Sequence, residues 1–284
     1  MKIEIQIQKT KTKIKMYNFQ NCVKSDCVAV ICKFLEPKDI VTLYHMYPKI
    51  LPKISLAYKR RVAEKMDEFF RNTFKDNYEK FKKCMISCNA ILSGSIILQK
   101  SLGETWPGHR SGRLDIDLFV AVKPIYQERF DYNEKGFTFY NHDHKFKLGY
   151  KKIHHFLHKL RERKNGYNGY VTHSQYMNEF GEKVLLRLNQ YVLEDNIFQV
   201  VEINKEKFNS WGEFIEETVD FDICKNLFYY NEEGTIELEI VSLPSILNKQ
   251  TTFHYVHDRE ASIKRREKYV DRGFTFERKN RLNI

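Results

Sequence analysis

Apolar positions in this chain change their spacing several times, and each change marks an element. Val28, Ile31, Phe34 and Leu35 recur at helical spacing. Glu36-Pro37-Lys38-Asp39 interrupts them, and Ile40, Leu43, Tyr44 and Tyr47 begin a second helix with Pro37 well placed at its first turn. From Arg60 to Lys83 the pattern predicts one long amphipathic helix, with Val62, Met66, Phe70, Phe74, Tyr78 and Phe81 on a core-facing stripe and Lys and Glu on the solvated side. Cys88 to Leu92 is short and mostly apolar, Ser93-Gly94-Ser95 punctuates, and Ile96, Ile97, Gln99, Lys100 and Leu102 read as a following helix. Leu114 to Val120 reads as a strand in which Asp115 and Asp117 share one face while Ile116 enters the core.

Further along, Tyr126 to Tyr150 is polar and aromatic and reads as a loop-rich excursion, and Lys151 to Arg163 as a basic helix carrying His154, His155 and His158. Gly166 to Gly169 is a turn. Lys183 to Leu188 and Ile197 to Ile203 are strands, Phe208 to Glu217 is a short helix, and Thr218 to Cys224 reads as one more strand. A basic helix with Lys264, Arg265, Arg266, Lys268 and Arg272 ends at Gly273. At the other end, residues 2 to 8 alternate, as a short strand or an exposed basic tail would. The expected class is α+β, with a helical segment over residues 1–56 and a sheet domain over residues 57–284.

Charge narrows the partners. The chain has 284 residues, a length suited to about two domains, and a net charge of +11, which concentrates polyanions near the surface, although surplus lysine also simply keeps a protein in solution. Cys22, Cys27, Cys32, Cys84, Cys88 and Cys224 contain no C-x-x-C pair, so reduced thiols inside a cell are expected rather than a disulfide framework or zinc ribbon. The alternating start lacks the continuous apolar run of a secretory signal, and no stretch approaches the ~20 apolar residues of a membrane span. The expectation is a soluble cytoplasmic protein with no membrane partner.

The chemistry centres on Leu114-Asp-Ile-Asp-Leu-Phe-Val120. Two carboxylates on one strand face repel unless a cation lies between them, which points to a divalent metal. A small Gly-Ser turn at a helix N-terminus lets backbone N–H groups and a hydroxyl approach an anion. Gly94-Ser95 followed by Asp115-x-Asp117 resembles the signature of the nucleotidyltransferase superfamily, of the polymerase-beta and poly(A)-polymerase type. The resemblance implies a mixed sheet flanked by helices and a third carboxylate from a later strand beside the first. Asp222, flanked by Phe221 and Ile223, is the candidate, with Asp220 its close competitor. It further implies Mg²⁺ or Mn²⁺ held by Asp115, Asp117 and Asp222, a nucleoside triphosphate gripped at Gly94 and Ser95, and transfer of a nucleoside monophosphate to a hydroxyl, with Asp222 drawing the proton.

The chain departs from the compact family spacing by placing 19 residues between Ser95 and Asp115. Gly103 to Gly112 reads as an inserted loop, whose His109, Arg110 and the following Arg113 are plausible triphosphate contacts or a solvated surface. His142, Asp143 and His144 are metal ligands by type but read as a surface turn. His154 and His158 are spaced i, i+4 with no Glu between them, so a solvated or nucleic-acid-facing helix fits them better than a metal clamp.

Two further resemblances bear on partners. The paired apolar helices around Leu35-Glu-Pro-Lys-Asp-Ile40 resemble an F-box, which implies docking to an adaptor of a ubiquitin ligase; a packing cap on the sheet domain fits the same pattern. Arg266-x-Lys268-Tyr269-x-x-Arg272-Gly273-Phe274 looks like the tail of nucleotidyltransferase-like proteins of large DNA viruses, which implies the host cytoplasm. Its cations could hold a triphosphate or a nucleic-acid backbone. A basic, aromatic-rich surface suits single-stranded RNA as acceptor. The rival expectations are an adaptor whose nucleotidyltransferase fold is only a platform, and a nucleic-acid-binding protein with a degenerate site.

Overall fold

The computed structural model describes residues 25–106, 113–122, 151–162, 168–170, 185–253 and 259–277. The expectations for residues 2–8, for the 126–150 excursion, for the turn at its 166–167 end, and for His109, Arg110, His142, Asp143 and His144 lie outside the described residues.

Two short helices come first, α1 (Ser25–Cys32) and α2 (Pro37–Met46). Pro37 sits at the first turn of α2, where its missing N–H is not needed. Glu36 closes that turn by accepting from Asp39 N–H while Asp39 reaches back to the backbone of Glu36. The single helix expected over Arg60 to Lys83 is two: α3 (Leu51–Phe74) and α4 (Tyr78–Ser87), joined by a 3₁₀ turn over Lys75–Asn77. Lys75 adopts φ 49°, and that left-handed residue turns the axis while keeping the stripe: Val62, Met66, Phe70, Phe74, Tyr78 and Phe81 are all buried. Asp67 ties the elbow together. It accepts from Arg71 Nε at 2.8 Å, from Tyr230 Oη at 2.9 Å, and from Tyr78 Oη. The boundary expected after residue 56 falls inside α3.

The sheet follows the α+β expectation. Its strands are β1 (Ile91–Ser93), β2 (Leu114–Val122), β3 (Asn168–Tyr170), β4 (Leu185–Leu193), β5 (Asn196–Asn204), β6 (Asn226–Tyr230) and β7 (Ile236–Ile240). They lie in the order β3-β4-β5-β2-β1-β6-β7, with β2 and β5 parallel and the other neighbours antiparallel. One face packs on helices: Ile116, Leu118, Val120, Phe198 and Val200 meet Met66, Phe70 and Phe74 of α3, Ile96 and Ile97 of α5 (Ser95–Leu102), and Ile153 and Leu157 of α6 (Lys151–Glu162). Burial of this aromatic-rich layer stabilises the fold by ~25 cal/mol per Å² of apolar area removed from water.

Among the described residues, α7 (Trp211–Thr218) covers part of the other face. Its Phe214 and Ile215 pack on Phe119, Val201 and Ile203, with the Phe119 and Phe214 rings 5.4 Å apart. A second core joins α1 and α2 to the C-terminal elements α8 (Leu243–Leu247) and α9 (Arg259–Asp271): Val28, Ile40 and Tyr44 share it with Leu243, Ile246, Tyr269 and Phe274. The N-terminal helices are thus packed into the body of the protein, and a two-stranded parallel ribbon of β8 (Gln250–Thr252) and β9 (Thr275–Glu277) lies beside them in sequence with α8 and α9.

The strand expected over Thr218 to Cys224 is not one. α7 runs to Thr218, Phe221 makes a single bridge to Phe253, and Asp222–Cys224 is a 3₁₀ turn. The alternation of Val219, Phe221 and Ile223 that suggested a strand arises because these side chains face one core from a turning backbone. Cys224 N–H bonds to Phe221 O, and Lys225 N–H to Asp222 O. The Asn226 side chain closes the turn on Ile223 O at 2.6 Å, and β6 starts there.

Candidate nucleotide and metal site

Asp115 and Asp117 stand where alternation puts them, on the sheet face that α7 leaves open, with Ile116 fully buried on the other side. Ser93, the last residue of β1, pairs with Asp117, so the turn that follows it lies against the second carboxylate. Gly94 has φ 84°, and a Cβ built there would come within 3.1 Å of Asp117 Oδ2. Glycine is therefore required twice, for the left-handed backbone and for the space. α5 begins at Ser95 directly after it. The predicted juxtaposition of Gly-Ser turn and carboxylate pair is present. Gly94→Ala is expected to cost about 1–2 kcal/mol of stability from backbone strain and to push Asp117 off its position, read as a lower melting temperature together with weaker divalent-ion binding.

The electrostatics show a pair under load. Burial, and then the charge of Asp115, push the Asp117 carboxyl up to about 6, and the nearby cations Lys268 and Arg265 pull it part of the way back. Lys268 is itself held below its ordinary range, first by burial and then by Arg272, while Asp115 and Asp117 oppose that shift. Both cations belong to α9.

The two alternatives for the third carboxylate each have partners of their own. Asp222 accepts from Thr252 Oγ1 and has Lys225 Nζ 3.9 Å away; Asp220 is buried and ion-paired to Arg265 Nε at 3.0 Å. Among the described residues no three His, Cys, Asp or Glu side chains come together in a metal-binding group. The 220–224 turn leads into β6, and β1 lies between β6 and β2. It contacts the site from the Gly-Ser side instead, where Ser93 Oγ donates to Cys224 O at 3.2 Å. Arg113 is exposed immediately before β2.

The strand that does lie beside β2 is β5. In its parallel register Ile197 is opposite Asp115 and Gln199 opposite Asp117. Gln190 of β4 is in turn opposite Gln199. The open face at the level of Asp117 thus reads Gln190, Gln199, Asp117, Ser93, and the place nearest the carboxylate pair holds an amide. Sequence reading passed over Gln199 because nothing local marks it; only the β2–β5 register reveals it. Lys268 and Arg272 were visible as part of a basic run, but which members of the run reach the site depends on how α9 docks.

α9 is fixed firmly. Tyr269 Oη lies 3.0 Å from Cys224 Sγ, and its ring packs edge-on against Phe221, Phe274 and Trp106. The Arg272 guanidinium sits 4.3 Å above the Trp106 ring. Lys249 donates to Arg272 O at 3.2 Å and pairs with Glu104 at 2.6 Å, joining the end of α9 to the segment that follows α5.

Comparison with protein families and with curated proteins gives no match. Among solved structures, one described as a tRNA-processing enzyme in apo form I has a TM-score of 0.39 and 15% identity over 72% of this chain and 44% of its own. A tRNA-processing enzyme with CTP has a TM-score of 0.36 and 16% identity over 66% of this chain and 40% of its own. The chain spans less than half the length of these structures, and a likeness so distant carries no argument, so the functional reading stands on the residues themselves.

Proposed function

We propose that the chain binds a nucleoside triphosphate together with a divalent cation and transfers the nucleoside monophosphate to a hydroxyl acceptor, with an RNA 3′ end as the acceptor its basic surface favours. The observation that supports this most is the packing of Gly94 against Asp117 on a sheet face where Asp115 and Asp117 lie side by side and uncovered by α7.

The residues fit a hard divalent cation. Two oxygen donors share a face, and Asp117 is pushed toward neutrality by burial and by its neighbour, a strain that a cation between them removes. When bound, Mg²⁺ or Mn²⁺ supplies charge neutralisation on the transferring and leaving phosphates. Asp115 and Asp117 would hold it, and the Gly94-Ser95 turn would leave room for the phosphates to approach the backbone. α7 covers the neighbouring part of the face through Phe214, which packs on Phe119.

Incubation of the protein with Mg²⁺ or Mn²⁺, each labelled triphosphate and a short RNA primer tests the reading. Metal-dependent extension of the primer is the expected result, and absence of incorporation with every triphosphate and acceptor offered would count against it.

One observation favours a second reading, that of a ubiquitin-ligase adaptor. Along and just after α1, Val30, Ile31 and Phe34 are 50%, 37% and 82% exposed, although their spacing is that of a core stripe. Capture of a ligase adaptor that survives loss of Asp115 and Asp117 but not Phe34→Asp would support it.

A further inference from the structure

We propose that a cleft on the helix-covered side of the sheet binds a small hydroxylated anion, a sugar phosphate or a sugar acid, and that Lys100 holds its charge. The site is separate from the carboxylate pair and does not depend on the function proposed above.

The cleft follows from the periodicity of α3. Lys65, Phe69 and Thr73 each come one position before a residue of the core stripe, Met66, Phe70 and Phe74, so they form a second stripe at the edge of the contact between helix and sheet. Where this stripe meets Lys100 of α5 and Asn196 at the start of β5, the elements leave a cavity of about 400 Å³, a size suited to a small ligand. Asn196 is opposite Leu114, which packs against the helix-side core, whereas Asp115 beside it faces the other way. The sheet therefore stands between this cleft and the carboxylate pair.

The lining indicates what the cleft takes. Of its two cations, Lys65 is paired with Glu36 at 3.2 Å and with Glu68 at 2.9 Å. Lys100 makes no hydrogen bond or ion pair among the described residues. Its ammonium lies 4.6 Å from the centre of the Phe69 ring, a contact that attracts the charge but leaves the N–H donors unused. Burial holds Lys100 below its ordinary range; Glu68 opposes that shift and Lys65 adds to it. A carboxylate or phosphate in the cleft supplies the charge-assisted bonds that this ammonium lacks.

The rest of the wall describes the body of the ligand. Asn72 and Asn196 bring side-chain amides with no partner among the described residues, and each offers donors and an acceptor together, as hydroxyl groups require. Glu68 and Glu194 also line the cleft and disfavour a highly charged polyanion. The Phe69 ring is already covered by Lys100, so a sugar suits the space better than a base that needs an aromatic face.

Calorimetric titration of ribose 5-phosphate and of gluconate into the full chain in metal-free buffer, with neutral ribose as the control, tests this. At least one anion should bind saturably, and ribose about tenfold more weakly or worse; the preference between the two anions tells phosphate from carboxylate. Lys100→Met keeps the stem against Phe69 and is expected to weaken the anion by about tenfold or more, the scale of a hydrogen bond to a charged group. Asn72→Asp, at an exposed position, should weaken it similarly by adding a third acid, and it keeps the test open if Lys100→Met folds poorly. Asp117→Asn should bind the anion as wild type does. The proposal is overturned if wild type binds neither anion saturably or if folded Lys100→Met and Asn72→Asp bind as well as wild type. Loss of binding in Asp117→Asn would overturn it as well, by placing the anion on the other face.

Discussion

Asp115→Asn and Asp117→Asn are each expected to reduce nucleotidyl transfer by on the order of 1,000-fold, because replacing a direct ligand costs more than the 10–100-fold typical of its outer-shell partners. Neither substitution should unfold the sheet. Asparagine keeps the shape of the side chain on a face that is only partly covered, and it removes a repulsion. For Asp117 the sign of the stability change follows from the shift: its folded carboxyl titrates at about 6, above the ordinary 3.8, because burial and Asp115 disfavour the charge. At a pH below the ordinary value both folded and unfolded forms are protonated and nothing is lost. As pH rises toward 6 the unfolded chain ionises while the folded one resists, so stability falls, and the loss is complete above that pH. At ~1.4 kcal/mol per pKa unit the loss is at most about 3 kcal/mol. In a chelator, wild type should therefore be less stable at pH 7 than at pH 4.5 by about 2 kcal/mol, about the first third of the loss being present already at pH 4.5, and Asp117→Asn should lack this dependence and exceed wild type at pH 7. Thermal melts across this pH range read it directly, and an Asp117→Asn protein less stable than wild type at pH 7 would contradict the assignment of strain to this carboxyl.

Gln199→Asp is the second large effect. Gln199 is opposite Asp117 on the parallel neighbour β5, on the same open face, and is half-buried there. Two carboxylates suffice for one divalent cation, whereas a pair of metal ions bridging the attacking and leaving oxygens needs more negative charge than the described face provides. An Asp at 199 adds a third carboxylate at the neighbouring register position. The expected result is a second Mn²⁺ bound in the presence of nucleoside triphosphate and a transfer rate higher by about 100-fold, consistent with the several kcal/mol a metal can contribute to charge stabilisation. In chelator the same variant should melt below wild type, since a third acid adds repulsion, and Mn²⁺ should reverse the order. Gln199→Ala separates this from loss of the amide, because it should bind one Mn²⁺ as wild type does. A Gln199→Asp protein that binds one Mn²⁺ and transfers no faster would mean that the β5 position does not reach the metal.

What the sequence made legible follows from how local each signal is. The Gly-Ser turn and the Asp-x-Asp strand are contiguous motifs, so alternation and a φ-positive glycine place them correctly relative to their own elements, and the β1–β2 pairing then brings them together. The core stripe of α3 and α4 was readable for the same reason, although Lys75 divides it and propensity does not announce a single left-handed residue. The strand expected around Asp222 failed because a run such as Val219-Asp-Phe-Asp-Ile223 has the same apolar alternation whether its backbone is extended or turning. Gln199 could not be found locally at all, because strand register defines it, and Arg272 was legible only as one member of a basic run, because its place depends on docking of a segment more than 150 residues downstream of Asp115.

Manganese electron paramagnetic resonance tests the central claim most directly, because it reads the bound ion without requiring the natural acceptor. Titrating Mn²⁺ with a non-hydrolysable nucleoside triphosphate, wild type should bind the ion in a saturable site, and Asp115→Asn and Asp117→Asn, still folded by their melting curves, should each lose it. Equal Mn²⁺ binding by all three proteins would contradict the account.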